Sequence, residues 1–258
     1  MKNLPRYARL FAFTLPLVWL SACGDALKTE TSAAEVAAPV VAVSLPPTKE
    51  PDEVEDVLLG SLPVIHSQVE ETFITDSTPA DNIDSAAAWQ GPDGGIWLYA
   101  TAKATDQVMI FDGEVGFRKG SAGKSGTAAG EFKRPNGVFV IDKLMLIVER
   151  DNHRVQVLSL PALRPLGTFG ENDLQKPYGV WVRSFDGGYE AIISDAYMSK
   201  DAEDVVPPVA ELGQRFRRYQ LRVTDGKLSA QLLGSMGATD AAGAIRIAES
   251  LWGDVVQN

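Results

Sequence analysis

The residue types that most often carry chemistry in proteins are scarce in this sequence. It contains two histidines, His66 and His153, and a single cysteine, Cys23. Two distant histidines cannot build a histidine-rich metal site, and no Ser-His-Asp set can be assembled around them. The stretch Gly123-Lys124-Ser125 is not a phosphate-binding loop, because Arg118 stands where that loop requires its first glycine. Both histidines are therefore interpreted as structural residues.

The cysteine lies where a lipid would be attached. Basic residues precede an apolar run over residues 10–20, which is too short to span a bilayer as a stable helix and is typical of a secretory signal. The run ends in Leu20-Ser21-Ala22-Cys23, which resembles a bacterial lipobox. We predict a signal peptide over residues 1–23, a diacylglycerol on Cys23, and an exported chain held to a membrane by that lipid. A simple cleaved signal is the alternative.

A change of composition separates this leader from the folded part. Residues 24–80 are rich in Ala, Val, Pro, Thr and Glu and show no sustained helical or alternating period. Such a segment buries too little apolar surface to fold alone. We predict a low-complexity acidic and proline-rich linker over residues 24–80 and a folded domain over residues 81–258.

The overall charge excludes one class of partner. The chain carries 24 basic and 34 acidic residues, a net charge of -10. Nucleic acid binding depends on clustered basic residues, so nucleic acid is not predicted as a partner. A small phosphorylated molecule remains compatible with this charge if divalent cations lie between it and the protein.

The folded part shows a repeat of short apolar strands. Turn signals such as Asp112-Gly113 and Asp225-Gly226 separate runs rich in Val, Ile and aromatic residues, which indicates an all-β fold. Self-alignment places Trp89, Val138 and Val180 at the starts of three units, 49 and 42 positions apart. This spacing matches one four-stranded blade of a β-propeller.

The second unit resembles an NHL repeat. The resemblance rests on Pro135-Asn136-Gly137-Val138 and on the run from Asp151 to Val157, DNHRVQV. We expect Asn136-Gly137 to form the turn that enters the inner strand. His153 is expected to be a turn or loop residue that is hydrogen-bonded to backbone.

A fourth repeat begins at IAESLWGDVVQN, residues 247–258. We therefore expect an incomplete propeller of about three and a half to four blades. A propeller hides its sheet edges by closing, so either the chain is a truncated product or another chain completes the ring. Truncation is the expectation.

A second resemblance covers the whole folded part. The stretch DNIDSAAAW, residues 81–89, is similar to the opening of the first blade in the β-propeller phytases. Further motifs of that family match in the same order along the chain: Thr101-Ala102-Lys103, Arg134-Pro135-Asn136, Arg150, Tyr178-Gly179 and Ala248-Glu249.

The phytase resemblance implies a complete six-bladed propeller that hydrolyses phytate, myo-inositol hexakisphosphate, with water activated on calcium ions. Asp84 and Glu249 would then be the catalytic carboxylates and calcium ligands, consistent with the preference of calcium for hard oxygen atoms. Lys103, Arg150 and Tyr178 would bind substrate phosphates. A full-length protein of this kind is expected to be a monomer.

Two departures from the family pattern weaken this expectation. Ser85 and Phe139 stand where the family has acidic residues, so calcium affinity should be lower. Two alternatives stay open: an NHL-like propeller that binds a partner without catalysis, and another calcium-dependent propeller hydrolase, such as a lactonase or esterase.

An insertion interrupts the third unit over residues 197–223. Val209 to Leu212 is predicted to form a helical turn, and a strand is predicted to resume at Phe216. The insertion is either a lid over the channel or a plain surface excursion. The basic cluster Arg215, Arg217 and Arg218 fits a strand with one polar face, and it is assigned no chemistry.

Overall fold

Three four-stranded antiparallel sheets make up the folded part of the protein. A computed structural model describes residues 70–200, 204–249 and 251. The predicted signal peptide with Cys23, the residue His66 and the linker up to residue 69 lie outside these ranges. No helix within the described residues is long and apolar enough to cross a membrane.

Each sheet contains four consecutive strands in simple sequence order. The first blade consists of β1 (Ile83–Gln90), β2 (Ile96–Ala102), β3 (Gln107–Asp112) and β4 (Arg118–Ala122). The second consists of β5 (Pro135–Ile141), β6 (Leu144–Glu149), β7 (Arg154–Ser159) and β8 (Arg164–Phe169). The third consists of β9 (Pro177–Phe185), β10 (Gly188–Asp195), β11 (Phe216–Thr224) and β12 (Lys227–Met236).

The sheets are arranged as the blades of an incomplete β-propeller, as predicted. Strand β5 contacts both β1 and β9, and the outer strand β12 contacts β8. The first strand of every blade is therefore the innermost one, and neighbouring blades pack face to face. The described residues contain three blades.

The middle blade is apolar on both faces because it packs between two others. Strand β6 reads LMLIVE, and all six of its residues are buried. Successive side chains of a strand point to opposite faces. Met145 and Ile147 accordingly pack with Trp89 of the first blade, whereas Leu146 and Val148 belong to the cluster shared with the third blade.

The register of the inner strands corrects the repeat alignment. In each blade, the pairing of the inner strand with the second strand is interrupted by a bulge near the start of the inner strand. The first paired residues after the bulge are Ala86 in β1, Val138 in β5 and Val180 in β9. Trp89 is therefore three positions out of register, although it does lie on an inner strand. The large aromatic side chain of Trp89 suggested that the repeat starts there, but the equivalent position after the bulge is Ala86.

The bulge also corrects the expected role of Asn136-Gly137. Both residues lie within β5 and not in a turn before it. A Cβ atom on Gly137 would lie 2.5 Å from the backbone oxygen of Tyr178 in the next inner strand. Glycine is required at this position because two backbones approach closely.

The insertion in the third blade has the predicted elements. A 3-10 helix covers Val209–Glu211 and β11 begins at Phe216, which confirms the helical turn and the resumed strand. The hydroxyl group of Tyr197 donates to the backbone oxygen of Glu211 at 2.5 Å. The insertion leaves from the end of β10, the end of the blade at which the inner strand begins, and its role as a lid stays a prediction.

We predict that Gly137→Ala lowers the free energy of unfolding by about 1–3 kcal/mol, the usual cost of overpacking a core position. Urea denaturation monitored by circular dichroism measures the change. Gly95→Ala is the matched control, because a Cβ atom there would have its nearest neighbour at an ordinary 3.5 Å. Equal stability of the two variants would contradict the close approach of β5 and β9.

Candidate functional site

The bulge places one polar residue of each blade at the same position of the inner strand. Asp84, Asn136 and Tyr178 each lie two residues before the first paired residue that follows the bulge. Equivalent positions of neighbouring blades face a common axis in a propeller. The three side chains therefore form a set related by the repeat.

Glu249 occupies the corresponding place beside the third blade. Thr101 of the first blade donates its hydroxyl hydrogen to the backbone oxygen of Asn136 at 2.5 Å. Ser194, the counterpart of Thr101, donates in the same way to the backbone oxygen of Glu249 at 3.1 Å. Glu249 therefore lies next to the third blade in the same way that Asn136 of the second blade lies next to the first blade.

The two inner-strand glycines support the same assignment. A Cβ atom on Gly179, the counterpart of Gly137, would lie 2.7 Å from the backbone oxygen of Glu249. The segment at residue 249 therefore approaches the third blade as closely as Tyr178 approaches the second. Asp84, Asn136, Tyr178 and Glu249 are hereafter called the axial set.

The first and third blades meet through the carboxylate of Asp84. Its Oδ1 atom accepts a hydrogen bond from the Nζ atom of Lys103 at 3.0 Å and another from the hydroxyl group of Tyr178 at 3.0 Å. Ser85, which stands where an acid was expected, donates its hydroxyl hydrogen to Oδ2 at 3.2 Å. Three of the predicted site residues therefore lie in direct contact.

The phenol of Tyr178 stays protonated over the physiological pH range. Burial is the main reason that its pKa is raised to about 12, and the negative charges of Asp84 and Glu249 raise it further. The side chain of Asn136 acts in the opposite sense and favours the phenolate. Tyr178 is consequently a hydrogen-bond donor at neutral pH.

Asn136 is the member of the axial set that the sequence analysis did not single out as a site residue. It is fully buried, and within the described part of the chain neither its Oδ1 nor its Nδ2 atom has a hydrogen-bond partner. It lies near Tyr178 without the geometry of a hydrogen bond. Aligning the repeats by their bulges would have identified it, because it then falls between Asp84 and Tyr178.

A groove of about 770 Å³ runs along the three inner strands. Asp84, Tyr178 and Glu249 line one part of it, hereafter called the polar end, and the other lining residues include Val138 and Trp181. This volume lies within the range of about 300–1,000 Å³ typical of small-molecule sites. Phe139, the second departure from the phytase pattern, also lines the groove.

Arg150 does not join the other predicted phosphate ligands. Its backbone position is equivalent to that of Lys103. Each backbone N–H group donates to the backbone oxygen of the residue just before the inner strand of its blade, Asn82 for Lys103 and Arg134 for Arg150. Its guanidinium group, however, pairs at 3.4 Å with Asp151, which does not line the groove, whereas Lys103 pairs with the groove residue Asp84.

Residues of the second NHL-like motif, DNHRVQV, form a structural network outside the groove. The carboxylate of Glu149 is completely buried and accepts hydrogen bonds from Arg154, Asn152 and Gln156. His153 has a positive φ of 53° and contacts the backbone oxygen of Gln175 through Nδ1, as predicted for a loop residue. This network holds the start of β7 to the end of β6.

Comparisons with known proteins add little. No protein-family model and no curated protein matches the sequence. Among solved structures, the chain is similar to hydrazine synthase of Kuenenia stuttgartiensis, with 12% sequence identity and a TM-score of 0.35. The match covers 66% of this chain and 52% of the other, so this chain spans about half of that protein's length. A likeness this weak carries no argument about function.

The described residues do not complete a calcium site. Calcium takes about six to eight oxygen ligands. The groove supplies two carboxylates, Asp84 and Glu249, and the described ranges contain no group of three or more acidic, histidine or cysteine residues placed so that it could hold a metal ion. The Lys103 ammonium already offsets the charge of Asp84. Calcium therefore stays a prediction, and no chemical step is assigned to it here.

We predict that Asp84→Asn lowers the pKa of Tyr178, because a neutral amide no longer opposes the phenolate. The pKa should stay above its ordinary value of about 10, since burial is the larger cause of the shift. The measurement is titration of tyrosine labelled with carbon-13 by NMR, with a chelator present and the resonance assigned from Tyr178→Phe. An unchanged or higher pKa would contradict the contact between the two side chains.

Proposed function

We propose that the groove binds a small phosphorylated molecule and that the protein is a phytase-like phosphomonoester hydrolase. The observation that supports the proposal is the meeting of Asp84, Lys103 and Tyr178 in one contact, although Asp84 and Tyr178 are 94 residues apart. The phytase resemblance had assigned these three residues to a single site.

The chain's own residues would contribute hydrogen-bond donors. The Lys103 ammonium and the Tyr178 hydroxyl both point at one oxygen atom of Asp84. A phosphate oxygen is an equally good acceptor for both, and charge-assisted hydrogen bonds of this kind are strong. The high pKa of Tyr178 keeps its donor hydrogen in place at neutral pH.

Burial gives these donors a fixed direction. The side chain of Lys103 is 18% exposed and that of Asp84 is 10% exposed. The Lys103 ammonium is therefore directed by its carboxylate partner instead of moving freely in water. Lys103 does not itself line the groove but is bonded to Asp84, which does. An ordered cation next to a groove residue suits recognition of a phosphate ester.

A binding module without catalysis is the second candidate. The apolar side chains that line the groove, which include Phe139 and Trp181, favour a ligand with an apolar part. A reaction at phosphorus needs an activated nucleophile, and two carboxylates alone do not provide the usual metal-bound water. The assay described next separates the two candidates.

We predict that the protein releases phosphate from phytate and that Lys103→Met lowers the rate about tenfold to a hundredfold, the effect of losing one hydrogen bond to a charged group. Tyr178→Phe should also lower the rate of phosphate release. Phosphate release is measured colorimetrically, with and without added calcium. Lys119→Met is the matched control, because Lys119 pairs at 3.1 Å with Asp112, which does not line the groove, whereas Lys103 pairs with Asp84, which does.

Three outcomes are informative. Loss of activity in the Lys103 and Tyr178 variants but not in Lys119→Met supports the phytase proposal. Phytate binding by calorimetry without phosphate release would favour the binding module. Neither binding nor release, or equal effects in all three variants, would overturn the proposal.

A further inference from the structure

Arg215 is a completely buried arginine that the proposed function does not use. It immediately precedes β11, and among the described residues it makes no ion pair with a carboxylate. Its guanidinium group donates instead to backbone oxygens. Two of these are the last residue of β10, Asp195, at 3.1 Å, and Tyr197 in the insertion, at 2.7 Å.

The other two acceptors lie in the segment that leads to Glu249. The Nε atom donates to the backbone oxygen of Ile245 at 3.1 Å, and Nη2 donates to that of Arg246. A single side chain therefore joins the end of β10, the insertion and residues 245–246. The ring of Tyr197 lies 4.4 Å from the guanidinium carbon and adds a cation–π contact.

The segment over residues 240–249 contains no strand, and Ala248 is its one buried residue. It starts with a turn in which the side chain of Asp240 accepts hydrogen bonds from the backbone N–H groups of residues 242 and 243. Ile245 and Ile247 are exposed, at 41% and 53%. Its far end is attached by the hydrogen bond from Ser194 to the backbone oxygen of Glu249. Arg215 and Ser194 thus hold the segment at two points, on either side of residue 247.

We propose that Arg215 is a positioning residue that fixes residues 245–246 and so places Glu249 at the polar end of the groove. It acts on the backbone and does not itself line the groove. The inference deepens the site of the proposed function, but it rests on the hydrogen bonds alone and not on the reaction.

The geometry requires arginine at this position. A guanidinium group presents five N–H donors in a rigid plane. Here Nη1 donates to the two backbone oxygens of Asp195 and Tyr197, and Nε and Nη2 donate to those of residues 245 and 246. A lysine has three donors on one atom and cannot span both pairs of carbonyl groups. Burying the charge costs free energy, which the four acceptors and the Tyr197 ring offset.

The chain offers a matched control two residues away. Arg217 is also buried, at 5% exposure, but it bonds to Ser235 and Gln214 and lies 3.9 Å from Asp195. None of its contacts reaches residues 240–249. Removal of Arg217 should therefore disturb the blade without moving Glu249.

The test compares Arg215→Met, Arg215→Lys and Arg217→Met in the full chain by amide hydrogen exchange and mass spectrometry. We expect exchange over residues 240–251 to become about tenfold faster or more in both Arg215 variants, as for the loss of one charge-assisted hydrogen bond. Strands β9 and β10 should keep their protection. Arg217→Met should leave residues 240–251 unchanged.

A second readout follows the groove itself. Trp181 lines the same groove as Glu249, so the fluorine resonance of 5-fluorotryptophan at that position, assigned from Trp181→Phe, reports on the placement of Glu249. Arg215→Lys should shift this resonance, and Arg217→Met should not. Neither readout uses a substrate, so failure to hydrolyse phytate leaves this inference standing.

The proposal is overturned if Arg215→Lys keeps full protection over residues 240–251 and an unshifted Trp181 resonance. It is also overturned if Arg217→Met loosens the segment to the same extent, because Arg215 would then act only through the stability of the blade. If Arg215→Met does not fold, the lysine variant, which keeps the charge, decides the matter.

Discussion

The close approach of successive inner strands is the constraint on which the rest of the structure depends. At Gly137 and again at Gly179, a backbone oxygen of the following segment lies where a side chain would begin. Only a residue without a Cβ atom permits this distance. The approach recurs at the same bulge position of the second and third blades, whereas the first blade has Ser85 at that position. Tyr178 and Glu249 reach one groove for this reason, and Asp84 meets them there through its hydrogen bond with Tyr178.

Polar side chains at this axis that are withdrawn from water must satisfy one another. Asp84 does so by accepting hydrogen bonds from Lys103 and Tyr178. Asn136, which occupies the same position in the middle blade, leaves both of its side-chain polar atoms without a partner in the described residues. An unpaired buried amide costs stability. Among the described residues, Asn136 is thus a buried polar group held at the axis at the expense of stability, as polar groups at functional sites often are.

The sequence predicted the fold well, because a propeller repeats the same signals in every blade. Alternating apolar residues and Asp-Gly turns predicted the strands, and the apolar run of β6 reflects packing on both faces. The register was wrong at Trp89, since bulges leave no trace in hydrophobic periodicity. Asp84, Lys103 and Tyr178 were predicted together only through a family resemblance. Arg150 and Arg215 show the limit of such reasoning, because whether an arginine meets a carboxylate, a carbonyl or solvent depends on distant chain segments.

The most direct test of the account is a double-mutant cycle on Asp84 and Tyr178. The free energies of unfolding of the native chain, Asp84→Asn, Tyr178→Phe and the double variant are measured by urea denaturation. If the two residues meet at the axis, the double variant loses less stability than the sum of the single variants, by about 0.5–3 kcal/mol. Strict additivity would show that these residues, 94 positions apart, do not touch, and the shared axial site would be contradicted.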